Sequence, residues 1–448
     1  MKQKLIPLIV SIALPALLVP LRPLGLSAVQ AVILAAILCA IIWWVTGLVE
    51  RTLASVLLLA VLFLSGQVPV QTVFSFPLSE NFWLILFSFL FSQGIANSGL
   101  PDKLVLPLLE RWANSGRKLL LSMLLLPLVM ILIIPQPFSR VIILSLLYER
   151  YFDRLELEDT IRRPLMFGVY AFSIGVNMMF LRGDIILNGA LLSISGVSLS
   201  EGDWIGHMAV PGLVLMVLLA ALFALVFRAP LGRFPRGAVS APRSPLAARE
   251  RGQLVFLVVV LIFWAVEDLH GVSGTYIVVA ATLLMFPLGM LRFRSDLKAV
   301  NVKLMVFLTA AFSIGGSLKA CGAAERLFSP FAALLPQRFS LGYAAVVVLA
   351  AMVLHMLLGS NVTTLSVVVP ALMSISVIPQ VDVLLFLIYI SACGHYLLPF
   401  HSVLLLLGEG KGYFTNKEIL RFGLPATVLL IGAVFLLYLP WWRLMGFI

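Results

Sequence analysis

A short polar island, Gly359-Ser360-Asn361-Val362-Thr363-Thr364, interrupts a long apolar stretch. Ser360, Asn361 and Thr364 carry hydroxyl and amide oxygens that can ligate a cation, and donors that can hold a carboxylate. The flanking runs, 343–358 and 365–378, read as too short to cross a hydrocarbon core that takes about 20 helical residues. Joined, they are too long for one crossing. They predict a re-entrant hairpin turning at mid-depth, where irregular backbone survives only against protein or beside a water-filled cavity. The half-helix leaving such a turn presents unpaired N–H groups and a positive dipole end, which suits an anion, whereas freed carbonyls suit a cation. The plainer alternative is one long kinked helix whose Ser and Thr bond their own carbonyls.

The pattern has an earlier counterpart. Run 119–134 meets Pro135-Gln136-Pro137 and continues as 138–148, a second predicted hairpin. Arg140 lies one turn beyond that tip, and Arg182 is the other basic residue at membrane depth. Charge at that depth is expensive and marks function by default. Arg140 is read as fixed positive charge whose planar fork holds an anion. Asp184 is the candidate partner of Arg182. Two further apolar stretches carry breaks: 164–191 at Gly175-Val176-Asn177 and Arg182-Gly183-Asp184, and 383–407 at Gly394-His395 and Pro399-Phe400-His401. Asn177 is a candidate for the site wall, although Asn also favours turns. His395 and His401 are candidate carriers of a coupling proton, with Arg182 and Asp184 as further coupling candidates; a neutral histidine bonded to backbone is the plainer reading. His355, inside an apolar run, reads as packing. Trp43, Trp44, Trp264, Trp441 and Trp442 read as anchors at the membrane surface.

Missing chemistry narrows the function. Cys39, Cys321 and Cys393 have no paired spacing, so no disulfide framework or metal cluster follows. No Ser/His/Asp set or nucleotide-binding loop stands at a workable spacing, and an enzyme is not expected.

Holding polar residues at mid-depth takes a helical membrane bundle. The 448 residues are 61% hydrophobic and 11% charged, with a mean hydropathy of +1.10, which excludes a soluble domain. The apolar blocks do not match the short alternating strands of an outer-membrane barrel. The net charge of +11 comes from Lys and Arg scattered through short loops; positive-inside bias explains it better than nucleic acid. Residues 1–24 hold a retained first transmembrane helix. Residues 25–227 form one repeat, with a hairpin at about 118–150 and the broken helix at about 164–191. A basic linker rich in Pro, Gly and Ala covers 228–252. Residues 253–448 form the second repeat, with a hairpin at about 341–378 and a broken helix at about 383–407. Trp44 and Trp264, Gly99 and Gly322, Pro135 and Ser360, and Pro211 and Pro425 recur at nearly constant separation. The expected fold is all-α, with about eleven transmembrane helices plus two re-entrant hairpins in inverted repeats. Alternate loops carry most of the Lys and Arg, which puts the N-terminus and first hairpin on the cytoplasmic side and the second hairpin and C-terminus outside.

With these residues in place the chain resembles the divalent anion:sodium symporter family, carriers of dicarboxylates, citrate or sulfate. The likeness covers nearly the whole chain, through WWVTGLVERTLASVLLLAVLFLSG, FSQGIANSGLPDKLVL, FSIGGSLKACGAAERL, SNVTTLSVVVPAL and GYFTNKEILRFGLP. The resemblance implies a Ser-Asn-Thr tip in each of two opposed hairpins, which hold sodium and a substrate carboxylate beside the breaks of two discontinuous helices. It also implies a homodimer and an elevator-type movement. On this chain it implies substrate contacts at Ser360, Asn361, Val362 and Thr364 of the second tip, at Gln136 and Arg140 of the first, and at Asn177 and Pro399 in the breaks. Ion contacts fall at Ser360, Asn361, Thr364 and Gly394. The chain departs from the pattern in places. Val362 replaces the motif threonine, and Pro135-Gln136-Pro137 stands where the first tip's motif belongs. Val176, Asn177, Arg182 and Asp184 stand where the family favours Gly, Thr and a Pro-Pro-Asn run. At most one sodium site is therefore expected, and Arg140 is placed where a sodium ion would otherwise sit.

The expected function is secondary active transport of a small anion across a cell's inner membrane. The expected partners are that anion, the lipid bilayer and a second copy of the chain; no cofactor is expected, and coupling is to one sodium ion, to a proton through a histidine, or to no ion. The alternatives are sodium-independent anion exchange, proton-coupled carriage of a different or larger anion, and a non-transporting accessory role on the same scaffold.

Overall fold

Residues 2–134, 136–235 and 245–448 are described by the computed structural model, and among them the regular structure is helical throughout. Pro135 of the first predicted tip and residues 236–244 of the predicted linker lie outside the described residues. Helix starts follow the polar punctuation of the sequence. Ser27 and Gln30 form a capping box before Ala28–Thr46, Ser200 and Asp203 before Glu201–Val226, and Thr415 and Glu418 before Asn416–Ala433. Each satisfies N–H groups that a helix leaves unpaired in its first turn. Among the described residues six helices are long and apolar enough to cross a membrane, or seven if Glu80–Asn97 and Leu100–Trp112, bent by 67°, form one span. Five shorter apolar helices accompany them. The predicted linker is more ordered at its ends than its composition suggests: Arg228–Arg233 is helical, and Ala248–Ala265 begins inside it.

The hairpin arms are longer than the apolar runs suggest. Gly116–Ile133 and Pro137–Arg154 have 18 residues each; Leu341–Leu358 and Asn361–Ile375 have 18 and 15. Polar caps extend them: Ser340 Oγ accepts the Tyr343 N–H at 3.1 Å and starts its arm before the first strongly apolar residues. Eighteen helical residues extend about 27 Å, close to the ~30 Å hydrocarbon core. Half-length is therefore not what marks these arms; the turn between them is. Gly359 ends one arm at φ +69°, a left-handed conformation that favours glycine. Ser360 is extended, and the second arm starts at Asn361. The arms of each hairpin pack on each other.

Buried apolar side chains form two cores. One holds the Leu341–Leu358 and Asn361–Ile375 hairpin together with Val302–Ala320 and Val381–Cys393. The other holds the Gly116–Ile133 and Pro137–Arg154 hairpin together with Asp159–Asn177. Two interrupted helices pass from core to core. Asp159–Asn177 is buried in the second, but its continuation Leu187–Ser195 gives Ala190 and Leu191 to the first. Val381–Cys393 is buried in the first, but its continuation Val403–Gly410 gives Leu404 and Leu405 to the second. The two breaks, 178–186 and 394–402, thus sit where the cores meet.

Most of the tryptophans read as surface anchors also fasten one helix to another. Trp43, Trp44, Trp264 and Trp442 are buried. Trp43 Nε1 donates to Ser11 Oγ at 2.9 Å, Trp44 Nε1 to Ser55 Oγ at 3.2 Å, and Trp442 Nε1 to the His207 carbonyl at 2.9 Å. Half-buried Trp441 donates to the Gly206 carbonyl at 2.7 Å. Acceptors on neighbouring helices satisfy these indole N–H groups, whereas Trp264 Nε1 is buried without one.

Candidate functional site

The second tip is chemically open. A serine at a helix N-cap ordinarily caps the first turn with its hydroxyl. Ser360 holds the N-cap position of Asn361–Ile375 but makes no side-chain cap bond, and its buried Oγ has no partner. Asn361 Oδ1 and Thr363 Oγ1 are likewise buried and unpartnered. Buried polar atoms without partners cost free energy, so three in one turn call for a ligand or water. Thr364 is different: its Oγ1 lies 2.9 Å from His355 Nδ1 on the opposite arm.

The first tip differs in having a side-chain cap, although Gln136 Nε2 is buried without a partner. Gln136 is the N-cap of Pro137–Arg154, and its Oε1 accepts the Ser139 N–H at 2.5 Å. Pro137 at the first helical position removes one more N–H. Behind it Arg140 is fully buried. Its guanidinium donates to the Ile134 carbonyl at 2.6 Å, to the Gly183 carbonyl at 2.6 Å and to Asn177 Oδ1. The two Nη groups are therefore bonded to three oxygens of the tip and the first break, while Nε is buried without a partner. Three converging oxygens from a hairpin tip and an unwound helix form the type of donor set that binds a cation in transporters.

The first break is built around that clamp. Asp184 Oδ1 accepts the N–H groups of Ile186 and Leu187, at 3.1 and 3.0 Å, and so caps Leu187–Ser195. The charges of Arg140 and Asp184 attract each other across the break. Asn188 Nδ2 donates to the Phe180 and Leu181 carbonyls, both at 2.9 Å, and its Oδ1 accepts from Tyr389 OH of Val381–Cys393. Arg182 does not pair with Asp184. It lies 3.8 Å from Glu201, donates to the Trp264 carbonyl at 3.1 Å and stacks over the Trp264 ring. The Asp184 carboxylate is already held by the helix start, whereas Glu201 opens the next helix beside Arg182.

Gly183 lets the break close. A Cβ built on it would stand 2.3 Å from the Asn177 carbonyl oxygen, a backbone atom that cannot yield alone. Gly183→Ala is expected to destabilise the protein by about 1–3 kcal/mol, and to loosen Arg140 from the Gly183 carbonyl. Thermal unfolding of the purified full-length protein, wild type against variant, checks the first effect.

The second break carries Gly394, His395, Pro399 and His401. Ser402 is the N-cap of Val403–Gly410, again without a side-chain cap bond. A cavity of about 50 Å³ lies between the two tips and the two breaks. Asn177, Asp184, Ser360, Asn361, Ser402 and Cys393 supply its polar wall, and Val362, Phe138, Phe307 and Tyr389 are among its other walls. The halves are unequal. Helix starts at 137 and 187 are capped by Gln136 and Asp184; those at 361 and 403 meet the cavity with serines whose hydroxyls are not used as caps.

Residues 2–448 match the family described as the sodium:sulfate symporter transmembrane region. The chain belongs to that family. It is the divalent anion:sodium symporter family expected from the tip motif. An L-tartrate/succinate antiporter of Shigella dysenteriae serotype 1 is 26% identical over 387 residues, covering 78% of this chain and 76% of the relative. L-tartrate/succinate antiporters of Escherichia coli O6:K15:H31 and Shigella boydii serotype 4 are each 25% identical, over 387 and 397 residues, covering 78% and 80% of this chain and 76% and 78% of theirs.

In this symporter-family chain the expected residues divide into three groups. Asn177, Asp184, Ser360, Asn361 and Val362 line the cavity. Gln136, Arg140 and Thr364 stand behind the lining as cap, clamp and histidine partner. Gly394, His395, Pro399 and His401 form the second break, while Arg182 is held by Glu201 and Trp264. Ser402, Tyr389 and Asn188 were not expected. Asn188 left a signal, an amide inside the apolar run Ile185–Ile186–Leu187; Tyr389 and Ser402 left none, because their roles depend on partners far away in sequence. Among the described residues no group of His, Cys, Asp and Glu side chains is arranged to hold a metal ion.

Proposed function

We propose that the protein is a sodium-independent carrier that exchanges small dicarboxylates across a cell's inner membrane. The observation that carries this reading is the pair of uncapped helix N-termini at Ser360 and Ser402 on one cavity. Helix starts with free N–H groups favour anions. Two of them, with two serine hydroxyls, suit a ligand that carries a carboxylate at each end. The apolar remainder of the wall strengthens those contacts by keeping the local dielectric low. The relatives named as tartrate/succinate antiporters support the same substrate class.

Arg140 supports independence from sodium. Its guanidinium fills the oxygen set at the first tip with permanent charge, and Thr364 at the second tip is engaged by His355. A carrier with a built-in cation has no reason to import one. The reading extends to the architecture: about eleven spans, inverted repeats related by the two hairpins and two breaks, a homodimer, a cytoplasmic N-terminus, and elevator-type movement of the hairpin-bearing part.

Counterflow tests the carrier reading. Purified protein in liposomes preloaded with unlabelled succinate should take up labelled succinate, saturably and with competition from tartrate. Absence of saturable counterflow for every member of a panel of di- and tricarboxylates and sulfate would sink it.

A further inference from the structure

Three histidines that the transport reading does not use meet behind the second tip. The ring of His355, on the first arm of the second hairpin, lies 5.0 Å from that of His395 and 5.1 Å from that of His401; His395 and His401 are 6.3 Å apart. All three are buried. We propose that they form a proton-binding site filled when a dicarboxylate enters the adjoining cavity, so that one proton accompanies each substrate. This rests on the carrier reading for the identity of the anion.

The hydrogen bonds fix which nitrogens can take the proton. His395 Nδ1 faces the Ser391 carbonyl at 2.7 Å, so it carries a hydrogen and leaves Nε2 as a bare acceptor in the neutral ring. His401 Nδ1 accepts the Leu397 N–H at 3.1 Å, so its hydrogen is on Nε2. His355 Nδ1 is bonded to Thr364 Oγ1, and its buried Nε2 has no partner. Three imidazoles are a costly choice for a packing role that apolar side chains fill without desolvating nitrogen. The geometry does not serve a metal. One proton is the natural load, because two cations at this separation repel in a low dielectric.

The cluster is placed to sense the substrate. Thr364 lies one turn into the helix that starts at Ser360, with its N–H on the Ser360 carbonyl at 2.8 Å. His401 precedes Ser402, and Gly394 follows Cys393, both of which line the cavity. Asp184 is the carboxylate on that cavity wall, and its Oδ1 is occupied by two N–H groups. The other titratable groups on the surrounding elements are Tyr343 on the same arm, Asp382, Tyr389 and Cys393 on Val381–Cys393, Tyr396 in the break and Glu409 on Val403–Gly410; Asp382 is bonded to His207 at 2.9 Å. Further out are Lys319, Glu325 and Arg326 toward one end and Lys417, Glu418 and Arg421 toward the other. The counter-charge for a proton is then the bound anion. The two halves correspond: Arg140 joins the first hairpin to the first break with a permanent cation, and the histidines join the second hairpin to the second break with a titratable one.

Succinate affinity of the purified full-length protein, measured between about pH 6.5 and 8.5 where both carboxylates of a small dicarboxylate stay ionised, reads the proposal. Linkage of one proton predicts that Kd tightens tenfold for each unit fall in pH, with one proton taken up per succinate in weak buffer. His355→Gln, which keeps a hydrogen-bond partner for Thr364, should flatten the slope whatever its absolute affinity; His395→Gln provides the same reading if the first variant does not fold. A flat profile in wild type, or an unchanged slope in the variants, overturns the proposal. Failure of succinate and tartrate to bind at any pH overturns the carrier reading instead. Acid–base titration then decides the cluster separately: wild type must take up one proton more than His355→Gln/His395→Gln/His401→Gln between about pH 8 and 4, and equal uptake rules the site out.

Discussion

Arg140→Gln is expected to lower dicarboxylate exchange by about a hundredfold or more and to destabilise the protein by about 3–5 kcal/mol, the usual cost of removing one partner from a buried charged network. The guanidinium serves the Ile134 carbonyl, the Gly183 carbonyl and Asn177 Oδ1 at once. Glutamine has one NH₂ group on a shorter stem, and leaves acceptors unsatisfied in a buried site. It also leaves the Asp184 charge on the cavity wall without its compensating cation. Arg140→Lys should recover only part of the loss, because an ammonium is a point charge without the planar fork. Guanidinium ion added to Arg140→Ala should restore part of the exchange, since the three oxygens remain in place. The same variant should acquire a sodium dependence that wild type lacks. Undiminished uptake by Arg140→Gln would end the clamp account.

Ser360→Ala and Asn361→Ala are expected to act oppositely on stability and binding. Ser360 Oγ and Asn361 Oδ1 have no protein partner, so their removal should leave the melting temperature close to wild type. A hydrogen bond to a charged ligand contributes about 1.5–3 kcal/mol. Loss of the Ser360 hydroxyl should therefore raise the dicarboxylate Kd by roughly 10- to 150-fold. The double variant should bind more weakly still, by an amount that need not be the sum, because the two groups share one turn. Gln136→Ala is the internal contrast: it removes a working cap and should cost about 1 kcal/mol of stability. Binding by isothermal titration beside thermal unfolding separates these cases. Unchanged affinity in the double variant would remove Ser360 and Asn361 from the site.

The polar island at 359–364, the breaks near Asn177 and Gly394, and the buried charge at Arg140 were legible because each contradicts its apolar surroundings. The helical membrane class was legible for the same reason at larger scale. What escaped depends on partners distant in sequence. Tyr389 reaches Asn188, and His355 reaches the two histidines of the second break; no local period encodes such pairs. Whether a serine caps its helix or points away is a side-chain rotation, so Ser340, a working cap, and Ser402, an open one, look alike in sequence. Arm lengths were underestimated because polar caps and mid-helix residues extend helices beyond their apolar runs. The burial of the tryptophans was not legible either, because the acceptors of Trp43, Trp44 and Trp442 stand on other helices.

Arg140 gives the protein a cation of its own at the first tip. Succinate counterflow by wild-type protein in liposomes, with sodium on both sides or with choline in its place at equal ionic strength, addresses this directly. Indistinguishable rates and affinities are predicted, because Arg140 already fills the oxygen set at the first tip. A requirement for sodium, rising steeply with its concentration, would contradict it.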